Sequence, residues 1–300
     1  LTELELLNQL AISQKKTVNI LFRIKPGIDA HTHDFVRTGQ IDSKFGLALE
    51  TGEAMEAIKK ASEMKGIALK GLHCDIGSQI FDIEPFEHAA EVMLSFMADV
   101  KKETGLSLGL LDLGGGFGIK YLPEHDPVEY DRYMQRVSLK VRQVCGEKGI
   151  DTPYIVIEPG RSIVGPAGIT LYTVGAVKEI PHIRTYVSVD GGMCDNPRYI
   201  LYQSQYEAIV ANKAVQPKCK TVTIAGKCCE SGDLIGEHMQ VQDVQVGDIV
   251  AVLATGAYNY SMSSNYNRIP KPPVVMLKDG QDRVVVKRET VEDIVRNDLL

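Results

Sequence analysis

Two stretches of this 300-residue chain gather residue types that can do chemistry. The first spans residues 110–118, LLDLGGGFG, where an apolar run ends abruptly in Gly114, Gly115 and Gly116. Glycine has no Cβ, so consecutive glycines let backbone N–H groups turn inward and close on an anion. By itself the stretch reads either as a phosphate cradle or as a tight turn between a strand and a helix. The second stretch is Glu158-Pro159-Gly160-Arg161. Proline fixes the turn, glycine admits close backbone approach, and a carboxylate and a guanidinium share one strand end. Taken alone this fits a surface ion pair as well as a site. Taken with a glycine phosphate cradle it suits a pyridine cofactor, because a carboxylate at the ring nitrogen keeps it protonated and able to accept a carbanion's electrons.

The elements that must position these residues alternate along the first half. Apolar runs at residues 18–24, 67–73, 110–113 and 154–157 read as buried strands, and residues 51–64, 84–103 and 127–147 have helical periodicity. Each run delivers polar or glycine-bearing residues at its carboxyl end: Lys25-Pro26-Gly27, Asp75-Ile76-Gly77-Ser78, the glycine loop, and the Glu158 turn. Such spacing argues for parallel βα units, and in a (β/α) barrel that end carries the active site. A closed barrel needs eight strands. The expectation is therefore the C-terminal half of a (β/α)8 barrel, with about a hundred residues of barrel upstream. A helix leads the chain, with Thr2 and Glu5 at capping-box spacing. From residue 168 the texture changes to short β-rich runs at 168–179, 185–189, 221–225, 248–254, 273–277 and 283–287, which read as an antiparallel β domain. Residues 290–299 close the chain as a helix, with Thr290 and Asp293 at capping spacing. The division expected is an α/β domain over residues 1–166 and a β-rich domain over 167–300.

Composition narrows the class. The net charge is −6 and no Lys/Arg cluster stands out, so a nucleic-acid partner is not expected. The apolar runs are too short to span a bilayer. The six cysteines, Cys74, Cys145, Cys194, Cys219, Cys228 and Cys229, form no C-x-x-C pair. Neither a zinc site nor a disulfide framework is indicated, and a reducing cytoplasm fits. His31 and His33 sit in a polar loop without carboxylate or cysteine company and read as loop residues, so no metal site is expected. Other residues keep two readings. Ser78 is an anion contact or a helix cap. Arg198 and Tyr202, at i and i+4, are a binding face or a solvated one. Cys228-Cys229 are small buried residues or include a reactive thiol.

Taken together, RIKPGIDAHTHDF, SKFG, GLHCDIGSQIF, LDLGGGFG, EPGR, DNPRYILY, CCESGD and GAYNYSMSSNYN, in that order, closely resemble the diaminopimelate decarboxylases. That family uses pyridoxal phosphate on an alanine-racemase-type barrel joined to a β domain, and the resemblance covers essentially the whole chain. It implies that Ser78, Gly115, Gly116 and the backbone of Glu158, Pro159, Gly160 and Arg161 hold the cofactor phosphate and ring, with Glu158 at the pyridine nitrogen. It implies further that Arg161, Arg198 and Tyr202 bind substrate carboxylate, and that Tyr258 touches cofactor and substrate. Glu230 would grip the distal ammonium and Cys229 would donate the proton. The implied reaction takes the α-carboxylate of meso-2,6-diaminopimelate as CO2 and protonates the α-carbon to give L-lysine. The CESGD stretch would enter the active site of a partner subunit, implying a homodimer.

Related decarboxylases of ornithine, arginine or carboxynorspermidine form one alternative. Glu230 with Arg198 speaks against them, because a diamine-forming enzyme has no distal carboxylate to bind. A non-catalytic homologue retained for dimerisation or regulation is the other. Two departures from the family pattern bear on it. The sequence contains no YAxKA motif with the cofactor-bonding lysine, so the chain as given is expected to be inactive alone and poorly soluble along its open sheet edge. Asp75 stands where the family usually has a histidine stacked on the cofactor ring; a carboxylate cannot stack in that way and adds negative charge beside an anion.

Overall fold

The apolar runs of the first half do form a single parallel sheet, and their carboxyl ends meet along one edge. In the computed structural model, residues 1–28 and 44–299 are described. They divide into two units: residues 1–119 with 126–162, and residues 120–125 with 163–300.

The strands of the first unit are β1 (Val18–Lys25), β2 (Leu47–Ala48), β3 (Ile67–His73), β4 (Leu110–Asp112) and β5 (Tyr154–Val156), ordered β2-β1-β3-β4-β5. Every pairing is parallel, and the register aligns His73 with Asp112 and Asp112 with Val156. The helices are α1 (Thr2–Ser13), α2 (Glu53–Ser62), α3 (Glu84–Thr104) and α4 (Tyr130–Lys148). Helix α3 turns Phe86, Ala90, Met93, Leu94 and Met97 inward, and α4 turns in Tyr133, Val137, Val141 and Val144. Sequestering a large apolar side chain such as Leu72, Leu94 or Leu111 contributes about 1.5–3 kcal/mol each. The rings of Phe86 and Phe117 stack at 5.1 Å, and the Tyr133 hydroxyl donates to the backbone oxygen of Phe81 at 3.0 Å. That bond ties α4 to the loop after β3.

Four local readings need correction. Strand β2 escaped notice because two residues carry no periodicity. Helix α2 starts at Glu53 rather than residue 51, and α4 at Tyr130 rather than 127. The Thr2–Glu5 capping box does not form: Thr2 is already helical, Leu1 occupies the cap position, and no side chain caps the helix. Glu5 instead pairs with Lys60 of α2.

The second unit holds β6 (Thr170–Ile180), β7 (Arg184–Val189), β8 (Ala208–Val210), β9 (Lys220–Ala225), β10 (Leu234–Val241) and β11 (Ile249–Val252) in the order β10-β9-β7-β6-β11-β8. Pairing is antiparallel except between β7 and β9, which run parallel because a long connection, not a hairpin, joins them. Strands β8 and β10 are additions to the sequence reading. Strand β8 has three residues, and β10 contains Gly236, a positive-φ His238 and two register shifts, so its alternation is broken. Strands β12 (Val274–Lys278) and β13 (Gln281–Val286) make a separate hairpin. The last helix covers only Val291–Val295 of the expected 290–299, but its capping box is as read: the Asp293 amide donates to Thr290 Oγ1 and the Thr290 amide to Asp293 Oδ2. Among the described residues, no helix is long and apolar enough to cross a membrane.

Candidate active site

Neighbouring parallel strands place the loops after β3, β4 and β5 side by side, and glycine lets them touch. A Cβ on Gly114 would lie 2.5 Å from the Cys74 carbonyl oxygen, and one on Gly116 would lie 2.6 Å from that of Gly77. A Cβ on Gly115 would collide with the Glu158 carbonyl. Gly114 and Gly116 also have φ of +70° and +96°, which disfavours any other residue. Asp112 Oδ1 accepts the Gly114 amide at 2.9 Å, and the Glu158 amide donates to the Gly114 oxygen at 2.8 Å. Pro159 and Gly160 carry the chain from Glu158 to Arg161, which opens a short helix at 161–164. Arg161 is buried, and its Nη2 donates to Ser78 Oγ at 2.8 Å. The loop after β5 is thereby fastened to the loop after β3. Ser78 is not a helix cap, because α3 begins at Glu84 and takes no side-chain cap.

The Glu158 side chain is 55% exposed and its Oε2 lies 3.3 Å from Nε2 of His73, the last residue of β3. His73, Asp112 and Glu158 bring one donor or acceptor atom each within 4.8 Å of one another. His73 went unnoticed in the sequence. Its signal was present: a histidine at the carboxyl end of a barrel-type strand, beside residues already singled out. Asp75 resolves the difficulty of its charge locally. Its Oδ2 meets Arg23 Nη2 at 3.1 Å, its Oδ1 accepts the Gly77 amide at 3.1 Å, and the Arg23 guanidinium lies 4.5 Å from the Phe45 ring centre. His31 and His33 lie outside the described residues.

The second unit brings together another subset. Arg198 opens a helix at Arg198–Tyr202 and is buried, with its guanidinium 5.2 Å from the Tyr202 ring and 5.8 Å from the Tyr258 ring. Its Nε donates to Tyr206 Oη at 2.9 Å, and Tyr206 donates to Asn259 Oδ1 at 3.5 Å. Burial pushes the Tyr206 hydroxyl up to about 12, so it keeps the proton that this second bond requires. An aromatic-walled guanidinium of this kind suits a carboxylate. Helix 198–202 is pinned from outside by Tyr199, which donates to Glu237 Oε2 at 2.5 Å.

The vicinal cysteines separate. Cys228 is half-buried, and burial followed by the Asp233 carboxylate pushes its thiol up. The buried Cys194 thiol is pushed up by the same desolvation and by Asp195. Asp233 accepts the amides of Cys228 at 2.7 Å and Met193 at 2.6 Å. Cys229 is exposed, its amide donating to Asn267 Oδ1 at 2.9 Å, and Glu230 beside it is exposed too. Thus the reading of small, sheltered residues suits Cys228, and Cys229 is the accessible thiol.

Whether these groups fit a phosphorylated pyridine follows from the donor set. Backbone loops that only glycine can line, a buried guanidinium bonded to a hydroxyl, and a carboxylate at the adjacent strand end supply anion donors and a ring-nitrogen acceptor. They fit.

The family description "Pyridoxal-dependent decarboxylase, pyridoxal binding domain" matches residues 1–165. The diaminopimelate decarboxylase of Bacillus subtilis is 48% identical over 297 residues, covering 99% of this chain and 68% of the relative. That of Staphylococcus aureus is 46% identical over 299 residues, covering 99% and 69%. The crystal structure of the M. jannaschii diaminopimelate decarboxylase in complex with L-lysine superposes with a TM-score of 0.91 at 35% identity, covering all of this chain and 68% of that one.

Proposed function

The chain belongs to the pyridoxal-dependent decarboxylases, among the diaminopimelate decarboxylases, and from that premise we propose how its residues share the removal of CO2 from meso-2,6-diaminopimelate to leave L-lysine. Pyridoxal 5'-phosphate, when bound, supplies the electron sink for the carbanion left by the departing carboxylate. Ser78, Gly115, Gly116 and the backbone from Glu158 through Pro159 and Gly160 to Arg161 hold its phosphate and ring. The Glu158 carboxylate keeps the ring nitrogen protonated. Arg161, Arg198 and Tyr202 bind substrate carboxylate, and the planar fork of each guanidinium fixes its orientation. Tyr258 contacts both cofactor and substrate. Glu230 takes the distal ammonium, and Cys229 delivers the proton to the α-carbon. The exposure of Cys229 and Glu230 in the protomer supports a homodimer in which this loop serves the partner's site. Free thiols at every cysteine support a cytoplasmic setting.

The observation that carries the reading is the packing of three strand-end loops around Gly114–Gly116, with Arg161 bonded to Ser78 and Glu158 alongside. In the cofactor-loaded protein that also carries the cofactor-bonding lysine, CO2 release from meso-2,6-diaminopimelate is expected to exceed that from ornithine or arginine. Cys229→Ala should lower kcat about 10²–10⁴-fold with KM little changed. Turnover of ornithine or arginine with none of diaminopimelate would overturn the assignment.

A further inference from the structure

We propose that His73 is the positioning residue of Glu158, holding one carboxylate oxygen so that the other is presented to the ring nitrogen; the proposal rests on the reading of Glu158 given above. Its starting observation is an orphan. His73 Nε2 is buried and makes no hydrogen bond of good geometry, although nearly all buried polar atoms do. The charged atom facing it is Glu158 Oε2, at 3.3 Å. The ring itself is well fixed. His73 ends β3, is aligned with Asp112 of β4, and has a side chain only 15% exposed.

Glu158 has the opposite problem. It follows a three-residue strand, and more than half of its side chain is open to water. A side chain so placed samples several rotamers, and a cofactor that needs one of them bears the ordering cost. Covering that carboxylate with a flat ring would also strip water from both oxygens. A buried carboxylate with only one oxygen satisfied is costly. A donor already waiting behind it removes both penalties. The neighbouring Asp112 does not compete for this role, since its Oδ1 accepts the Gly114 amide and shapes the glycine loop.

The test is the dissociation constant of pyridoxal 5'-phosphate, measured by equilibrium dialysis, together with the absorbance maximum of the bound cofactor. His73→Leu should weaken binding about tenfold and shift the maximum, because the ring nitrogen loses an ordered partner. His73→Gln, which keeps a donor at similar reach, should stay within about threefold of the wild type. Glu158→Gln should also weaken binding and shift the maximum, and adding His73→Leu to it should cost no more than Glu158→Gln alone. The melting temperature of the cofactor-free protein should be the same for His73→Gln and the wild type. Additive losses in the double variant, or a His73→Leu variant with unchanged affinity and spectrum, would overturn the proposal. So would recovery of a stoichiometric divalent ion bound by His73, Asp112 and Glu158 in the purified protein. An unchanged Glu158→Gln variant would instead defeat the reading of Glu158 itself, whatever His73 does.

Discussion

Asp75 and Arg23 illustrate how one side chain can offset a charge that would otherwise disturb an anion site. The carboxylate is spent twice, on the guanidinium and on the Gly77 amide, so it shapes the turn that leads to Ser78. Both partners are about a quarter exposed, which places the ion pair in the weak, screened class. Asp75→Asn is therefore expected to lower unfolding free energy by no more than about 1 kcal/mol in urea titration. A larger loss would mean that the turn itself depends on the charge. The cysteines give a second expectation at this scale. Cys219 and Cys229 are exposed, while burial pushes the thiols of Cys74 and Cys194 well above the ordinary cysteine range. A native titration with an aromatic disulfide reagent should consume Cys219 and Cys229 first and reach Cys74 and Cys194 only on unfolding. Mass mapping that finds Cys194 labelled early would contradict that order.

Strands and their loops set the next level. Gly71 lies where β3 pairs with β4, and a Cβ there would collide with the Leu110 carbonyl oxygen. The obstacle is backbone, which cannot swing aside. Gly71→Ala should thus cost about 3 kcal/mol, the upper end of overpacking penalties, read as a lower denaturation midpoint at constant m. If Gly71→Ala unfolds like the wild type, β3 and β4 do not approach so closely at Gly71. Helices α3 and α4 were legible from the sequence because each repeats its apolar residues over five turns or so. The register of β3, β4 and β5 was not, yet that register is what puts His73, Asp112 and Glu158 within reach of one another.

Across the whole molecule, carboxylates held below their ordinary range link stability to pH. The Tyr199 hydroxyl and then Arg184 hold Glu237 down, the Lys271 amide and Asn265 hold Glu289 down, and Arg268 holds Asp298 down. A carboxylate depressed in the fold contributes stability above its unfolded value that is lost as pH falls through the folded one. Asp195 acts in reverse. Burial raises it, so its contribution is fully present below the unfolded value and fades as pH rises through the folded one. Among the described residues the depressed carboxylates, which also include Glu5, Asp248, Glu292 and Asp293, outnumber the single raised one, and this predicts a melting temperature that falls as pH drops below about 4.5. Glu237→Gln should flatten that dependence. A melting temperature that rises on acidification would mean that raised groups such as Asp195 outweigh the depressed carboxylates.

The sequence by itself determined the class: βα alternation followed by β-rich texture, a glycine loop, an acid–guanidinium turn, and ordered motifs that resemble one decarboxylase family. Those features are local, carried by composition and short-range periodicity, and survive without knowledge of pairing. Tertiary structure alone decided four matters. It joined Arg161 to Ser78 across 83 positions of chain, set Arg23 against Asp75 across 52, and brought His73 to Glu158. It also distinguished sheltered Cys228 from accessible Cys229, which are adjacent in sequence and identical in type. The physical reason is the same in each case. A side chain's chemistry is set by the atoms around it, and in a parallel sheet those atoms come from strands far apart along the chain.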